Sequence, residues 1–111
     1  MRNKIDTSGI QFRVAATAKA KHYKDDQKQA TTPDGRPVWT VQLDAIDAAH
    51  ERKETIWVEV AGDEPKLTFE GFATVRELVY VPWVGRDGKI RRAYRADAVE
   101  NAASPKQHAA A

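Results

Sequence analysis

Apolar and polar residues alternate with a period of two along most of this chain, which is the spacing of half-buried β-strands. From residue 10 to 20, Ile10, Phe12, Val14, Ala16, Ala18 and Ala20 share one side, while Gln11, Arg13, Thr17, Lys19 and Lys21 share the other. The small alanines late in this run predict a strong bend or a close approach by another element. A second strand is predicted over Val38–Ile46, with Trp39, Val41 and Leu43 turned to the core and Thr40 and Gln42 away from it. In a third, Ile56, Val58 and Val60 form the core side, so Trp57 must project from the outer face. A fourth is predicted from Lys66 to about Val81, bent near Gly71 and with Phe69 in the core. A fifth spans Ile90 to Val99.

The breaks between these runs have local causes. Pro33 presets φ and Gly35 tolerates positive φ, so Pro33-Asp34-Gly35 is a turn. Residues 47–54 form a polar link, either a loop or one helical turn, and Gly62 to Pro65 ends the third strand. Gly85-Arg86-Asp87-Gly88-Lys89 sits between alternating segments as a hairpin tip. No amphipathic helix of ten or more residues is found. Five short strands with such turns predict an all-β fold, a five-stranded Greek-key barrel of the OB type, with an SH3-like barrel as the alternative. Residues 1–9 are assigned to an N-terminal extension, 10–100 to the domain, and the Ala-rich stretch 101–111 to a disordered tail.

Composition narrows the chemistry. A chain of 111 residues supports one modest core. There is no cysteine, which excludes disulfides, thiolate catalysis and cysteine-based zinc sites. No apolar run approaches the length of a membrane span and no signal-peptide core is present, so a cytoplasmic protein is expected. The net charge is only +2, but it is unevenly spread. Residues 1–24 hold six cations against one carboxylate, and residues 76–95 six against two. Residues 44–64 hold seven carboxylates against two cations. If the basic segments meet, a positive face with an acidic reverse side is expected.

His22, His50 and His108 are scattered without metal-ligand spacing, and no phosphate-cradling glycine loop or Ser/His/Asp order is present. The expectation is a non-enzymatic binding module without metal or cofactor. Aromatic and basic residues are interleaved from 65 to 100, a composition suited to single-stranded nucleic acid, because rings stack on unpaired bases while cations follow the phosphates. Trp57, Tyr80 and Trp83, with Tyr23 as a weaker candidate, are the stacking residues. Arg86, Lys89, Arg91 and Arg92 surround the hairpin tip as phosphate contacts. Lys19 and Lys21 extend the first strand towards the following loop. Arg76 and Arg95 are expected side by side on paired strands, where like charges make sense around an anion.

Two resemblances rest on these segments. Leu67-Thr-Phe-Glu-Gly71 and Asp87-Gly88-Lys89 with Tyr94-Arg-Ala-Asp97-Ala-Val99 resemble the last two strands of bacterial single-stranded DNA-binding proteins, over about a third of the chain. That family ends in an acidic tail that recruits other enzymes, whereas Ser104-Pro-Lys-Gln-His-Ala-Ala-Ala has no acidic tip. More broadly, Gly35-Arg-Pro-Val-Trp39-Thr-Val-Gln-Leu43, Gly71, Pro82-Trp83 and Gly88 are similar to small proteins of actinobacterial plasmids and integrative conjugative elements, described as regulators of transfer or replication.

The expected function is binding of single-stranded DNA, or RNA, with little sequence preference, for a plasmid, phage or mobile element. A homodimer is expected, because a small domain gains affinity through multivalency, and replication or transfer proteins are the expected protein partners. The alternatives are a protein-interaction module and a duplex-DNA regulator that uses the hairpin as a β-ribbon.

Overall fold

A computed structural model describes residues 3–21, 29–84, 87–91 and 93–102, with Asn3, Trp83, Val84, Ile90 and Arg91 described as backbone. Among the described residues ten strands follow one another: β1 (Asn3–Lys4), β2 (Ile10–Ala20), β3 (Val38–Asp47), β4 (Arg52–Ala61), β5 (Phe72–Arg76), β6 (Val79–Tyr80), β7 (Trp83–Val84), β8 (Ile90–Arg91), β9 (Tyr94–Ala96) and β10 (Ala98–Asn101). The helical element among the described residues is a single 3-10 turn, Ala48–His50. It is closed by Glu51 in the left-handed region at φ 52°. The protein is therefore all-β, as the alternation predicts, and no helix is long and apolar enough to cross a membrane.

Eight strands form one mixed sheet in the order β1-β6-β9-β4-β3-β2-β5-β10, and β7 pairs with β8 in a separate ribbon. All neighbours are antiparallel except β4 and β9, which run parallel with Val58, Glu59 and Val60 opposite Tyr94, Arg95 and Ala96. The hydrogen-bonded ladder is open, with β1 and β10 as its ends. Yet β9 and β10 are separated by Asp97 alone, so one stretch of chain borders β4 through its first half and β5 through its second. Asp97 N–H donates to the Arg76 carbonyl at 2.9 Å across that junction.

The core lies on the inner face. Phe12 and Val14 from β2, Val41 and Leu43 from β3, and Ile56, Val58 and Val60 from β4 are all buried, joined by Ala73, Leu78, Ala96 and Val99. Val14, Val41, Leu43 and Val58 are fully enclosed, each worth about 1.5–3 kcal/mol of apolar transfer. The bend predicted by the alanines is present: the β2–β3 register shifts between Val14 and Ala16 and again between Ala16 and Lys19. Such irregularities increase local twist and let a long strand curl.

Several expectations are corrected. The fourth strand does not begin at Lys66; residues 64–68 are irregular, and Gly71 N–H closes a turn onto the Thr68 carbonyl at 2.9 Å before β5 starts. Phe69 stands on that turn with 61% of its surface exposed, so it is not a core residue. The N-terminal extension joins the sheet, since Asn3 pairs with Tyr80 and Lys4 with Val79. At the other end β10 reaches Asn101, whose side chain accepts from Thr68 N–H and donates to the Lys66 carbonyl. The rest of the expected tail, 103–111, lies outside the described residues.

Candidate nucleic-acid interface

Alternation along β4 places Thr55, Trp57 and Glu59 in a row on the outer face, opposite Ile56, Val58 and Val60. β4 has β3 on one side and β9 on the other, so this row occupies the middle of a sheet surface. Trp57 is 59% exposed there, facing Gln42 of β3, and nothing in the core claims its ring. Burying a free indole is favourable, and leaving one open on a central strand offers a flat stacking platform.

On one side of Trp57, Glu59 takes two cations. Lys21 Nζ lies 2.6 Å from Glu59 Oε2, and Arg95 Nε lies 3.8 Å from Glu59 Oε1. Only 22% of the Glu59 side chain is exposed, whereas Lys21 and Arg95 show 40% and 50%. The parallel register explains the arrangement, since Glu59 pairs with Arg95, while Lys21 N–H binds the Val38 carbonyl at the end of the β2–β3 ladder. Lys19, exposed, pairs by register with Thr40, which is itself opposite Glu59.

On the other side of Trp57 stands a second carboxylate. Asp44 is buried at 9% exposure and accepts from Thr55 Oγ1 at 2.7 Å and from Arg13 Nη2 at 3.4 Å. The Thr55 hydroxyl holds the Asp44 carboxyl below its usual range; burial opposes this, and Arg13 and Lys53 reinforce it. One carboxylate here meets one bonded guanidinium.

Next to the Glu59 cluster lies a hollow of about 810 Å³, lined by β3, β4, β6 and β9 and by residues 30–36. Its charged walls are Lys21, Arg36 and Arg95 against Glu59, Glu77 and Asp97. The predicted acidic reverse side is therefore not what forms: Asp44 and Glu59 share the outer face with Lys21 and Arg95.

The other expected residues divide clearly. Tyr80 is opposite Tyr94, their rings 5.4 Å apart and tilted by 43°, and Tyr94 packs against the core. Since Val79 and Arg95 pair beside them and line the outer hollow, Tyr80 points to the other side of the sheet from Trp57. Arg76 pairs by register with Ala98 rather than Arg95, and its Nε donates to Glu100 Oε1 at 2.9 Å, so the facing arginine pair is absent. The hairpin exists: Trp83 pairs with Arg91 and Val84 with Ile90, and Val81 N–H donates to the Ala93 carbonyl at 2.7 Å. Gly88 has φ 78°, a conformation glycine adopts without strain, and Lys89 N–H donates to Asp87 Oδ1. Lys89 is exposed at the tip. Tyr23, Arg86 and Arg92 lie outside the described residues.

Trp39, aligned with the core set, is half-buried and its indole N–H donates to the Gly62 carbonyl at 2.9 Å, which fixes it as a structural residue. The sequence reading missed Glu59 and the Arg13–Asp44–Thr55 cluster. The signal was available in the β4 alternation, which places Thr55 and Glu59 in phase with Trp57. Among the described residues, no group of three or more His, Asp or Glu side chains is placed to hold a metal ion. The chain matches no family model, no curated protein and no solved structure.

Proposed function

We propose that this protein binds single-stranded nucleic acid, DNA first, across the outer face of β3 and β4. The observation that carries the reading is Trp57: an indole 59% exposed at the centre of a polar sheet face, two residues from a carboxylate shared by two cations. Stacking is indifferent to base identity, so the binding is expected to have little sequence preference.

The strand order supports an OB-type arrangement as the frame. β2, β3 and β4 pair successively, β4 meets β9 in parallel, and β9–β10 returns through β5 to β2. Parallel pairing requires a crossover, which favours a Greek key over a simple meander such as an SH3-like barrel. In that frame the ligand face is the surface of the second and third strands, flanked by the loop between the first two strands and by the loop before the last. Here these are the face of β3 and β4, residues 29–37, and the β7–β8 ribbon. Lys19, Lys21, Lys89 and Arg95 then supply phosphate contacts, and Arg76, neutralised by Glu100, does not.

The resemblance to bacterial single-stranded DNA-binding proteins and to small proteins of mobile elements fits the same reading, and cytoplasmic action in plasmid or phage replication or transfer follows from it. A homodimer would double the footprint. Catalysis has no part in the proposal. A protein partner is the second reading, favoured by the balanced charges around the 810 Å³ hollow. Titration with labelled oligo-dT and with duplex DNA at low and physiological salt separates the readings. Tight binding to oligo-dT with tryptophan quenching supports stacking, preference for duplex points to a groove-binding regulator, and binding to neither leaves the protein partner.

A further inference from the structure

Lys21 and Arg95 reach the same carboxylate from opposite sides, Lys21 from the end of β2 and Arg95 from β9. Glu59 is the residue between them, its side chain mostly covered while both cations remain partly open. A carboxylate hydrogen-bonded by a lysine and ion-paired with an arginine has the same demands as a phosphate oxygen pair: negative charge beside two cations. Two residues along the strand, about 7 Å away by strand rise, stands Trp57. That is the scale separating a nucleotide's base from its phosphate.

We infer that Lys21 and Arg95 form a phosphate seat, and that Glu59 occupies it in the free protein as a built-in competitor. The inference rests on the proposed sheet-face binding and deepens it by naming one subsite and its regulation. A phosphate entering the seat displaces the Glu59 carboxylate from one or both cations. Binding is therefore weaker than the cations alone would give, and anions that cannot also stack on Trp57 gain too little to compete. The neighbouring Asp44 cluster cannot act in the same way: its carboxylate is buried, and its partners are a hydroxyl and one guanidinium.

The test is Glu59→Gln in the full chain, titrated by anisotropy with fluorescently labelled oligo-dT, alone and combined with Lys21→Ala or Arg95→Ala. Glutamine keeps the size and an acceptor but removes the competing charge. Glu59→Gln is expected to bind about tenfold tighter at low salt, because a like charge opposing the ligand is removed. The slope of log affinity against log salt should change by less than about 0.7, the value of one phosphate contact on a single strand, because the same phosphate fills the seat in both proteins. The gain should vanish when Lys21 or Arg95 is absent. Unchanged or weaker binding by Glu59→Gln, with wild type still binding and Trp57→Ala weakened, overturns the seat and leaves the sheet-face reading intact. Failure of both wild type and Glu59→Gln to bind oligo-dT overturns both. Tighter binding by Glu59→Gln together with an inert Trp57→Ala keeps the seat and removes the stacking platform.

Discussion

Two acid-centred clusters sit on the same sheet face, on either side of Trp57, and they are built for different ends. At Asp44, one buried carboxylate is satisfied by Thr55 and Arg13. At Glu59, one carboxylate is shared by Lys21 and Arg95, and the surrounding surface stays open. Residue types are nearly the same in both. What differs is the ratio of charges and the cover over the carboxylate: the Asp44 side chain is 13% exposed and that of Glu59 22%, while Arg13 and Lys21 are equally open. A balanced cluster around a mostly buried carboxylate ties neighbouring strands, since that carboxylate has little water to bond instead. A cluster with surplus positive charge at the rim of a hollow can exchange its carboxylate for a ligand. Proximity on one face does not make two polar groups one site.

Substitution should separate the clusters by what each one changes. The largest effect on stability is expected from Asp44→Ala, which removes a mostly buried carboxylate hydrogen-bonded by Thr55 and Arg13 and costs about 1–3 kcal/mol in urea denaturation. Glu59→Ala should cost under about 1 kcal/mol, since its partners can turn to water. Equal losses from the two would erase the distinction. On the binding side, Trp57→Ala should weaken oligo-dT by about 1–3 kcal/mol while leaving the unfolding midpoint nearly unchanged, because the indole is exposed.

A finer contrast comes from acid. The Asp44 carboxyl is held below its ordinary value of 3.8 in the folded protein, chiefly by Thr55. A depressed folded pKa means that the stabilisation is present above the unfolded value and is lost as pH falls through the folded one. Asp44→Asn should therefore flatten the decline in stability below about pH 4, followed by thermal melts. A decline of wild-type steepness in Asp44→Asn would show that this carboxyl contributes nothing to it. The smallest effect is expected at Arg76→Ala, which breaks an exposed pair with Glu100 and should change stability by less than about 1 kcal/mol and oligo-dT affinity not at all.

Much of the sheet was legible because a half-buried strand announces itself by period two. The edges of β2 and β3 fall within a residue of the predicted ones, and Trp57 is on the face that its phase requires. The failures have equally definite causes. Lys66 to Glu70 alternates well enough to suggest a strand, but the turn that Gly71 closes onto Thr68 takes the chain out of the ladder and carries Phe69 into solvent. Pairing Arg76 with Arg95 requires continuous strands. The break at Glu77, with φ 54°, and the bend at Asp97 shift the register, so that Arg76 meets Ala98 and Arg95 meets Val79. Tyr80 lies on the opposite side of the sheet from Trp57, because a hairpin strand's phase depends on its partner's register. In the sequence Glu59 belongs to an acidic segment, and its neighbours Lys21 and Arg95 lie 38 and 36 positions away. Charge blocks along a sequence say little about charge on a surface once strands cross the sheet in alternating directions.

The account depends most on Trp57 meeting unpaired bases, and fluorescence titration with oligo-dT tests that directly in wild type and Trp57→Ala. The expected result is strong quenching of wild-type emission on binding, with most of that quench lost in the variant and the affinity reduced roughly tenfold. Equal affinity and an undiminished quench in Trp57→Ala would contradict it.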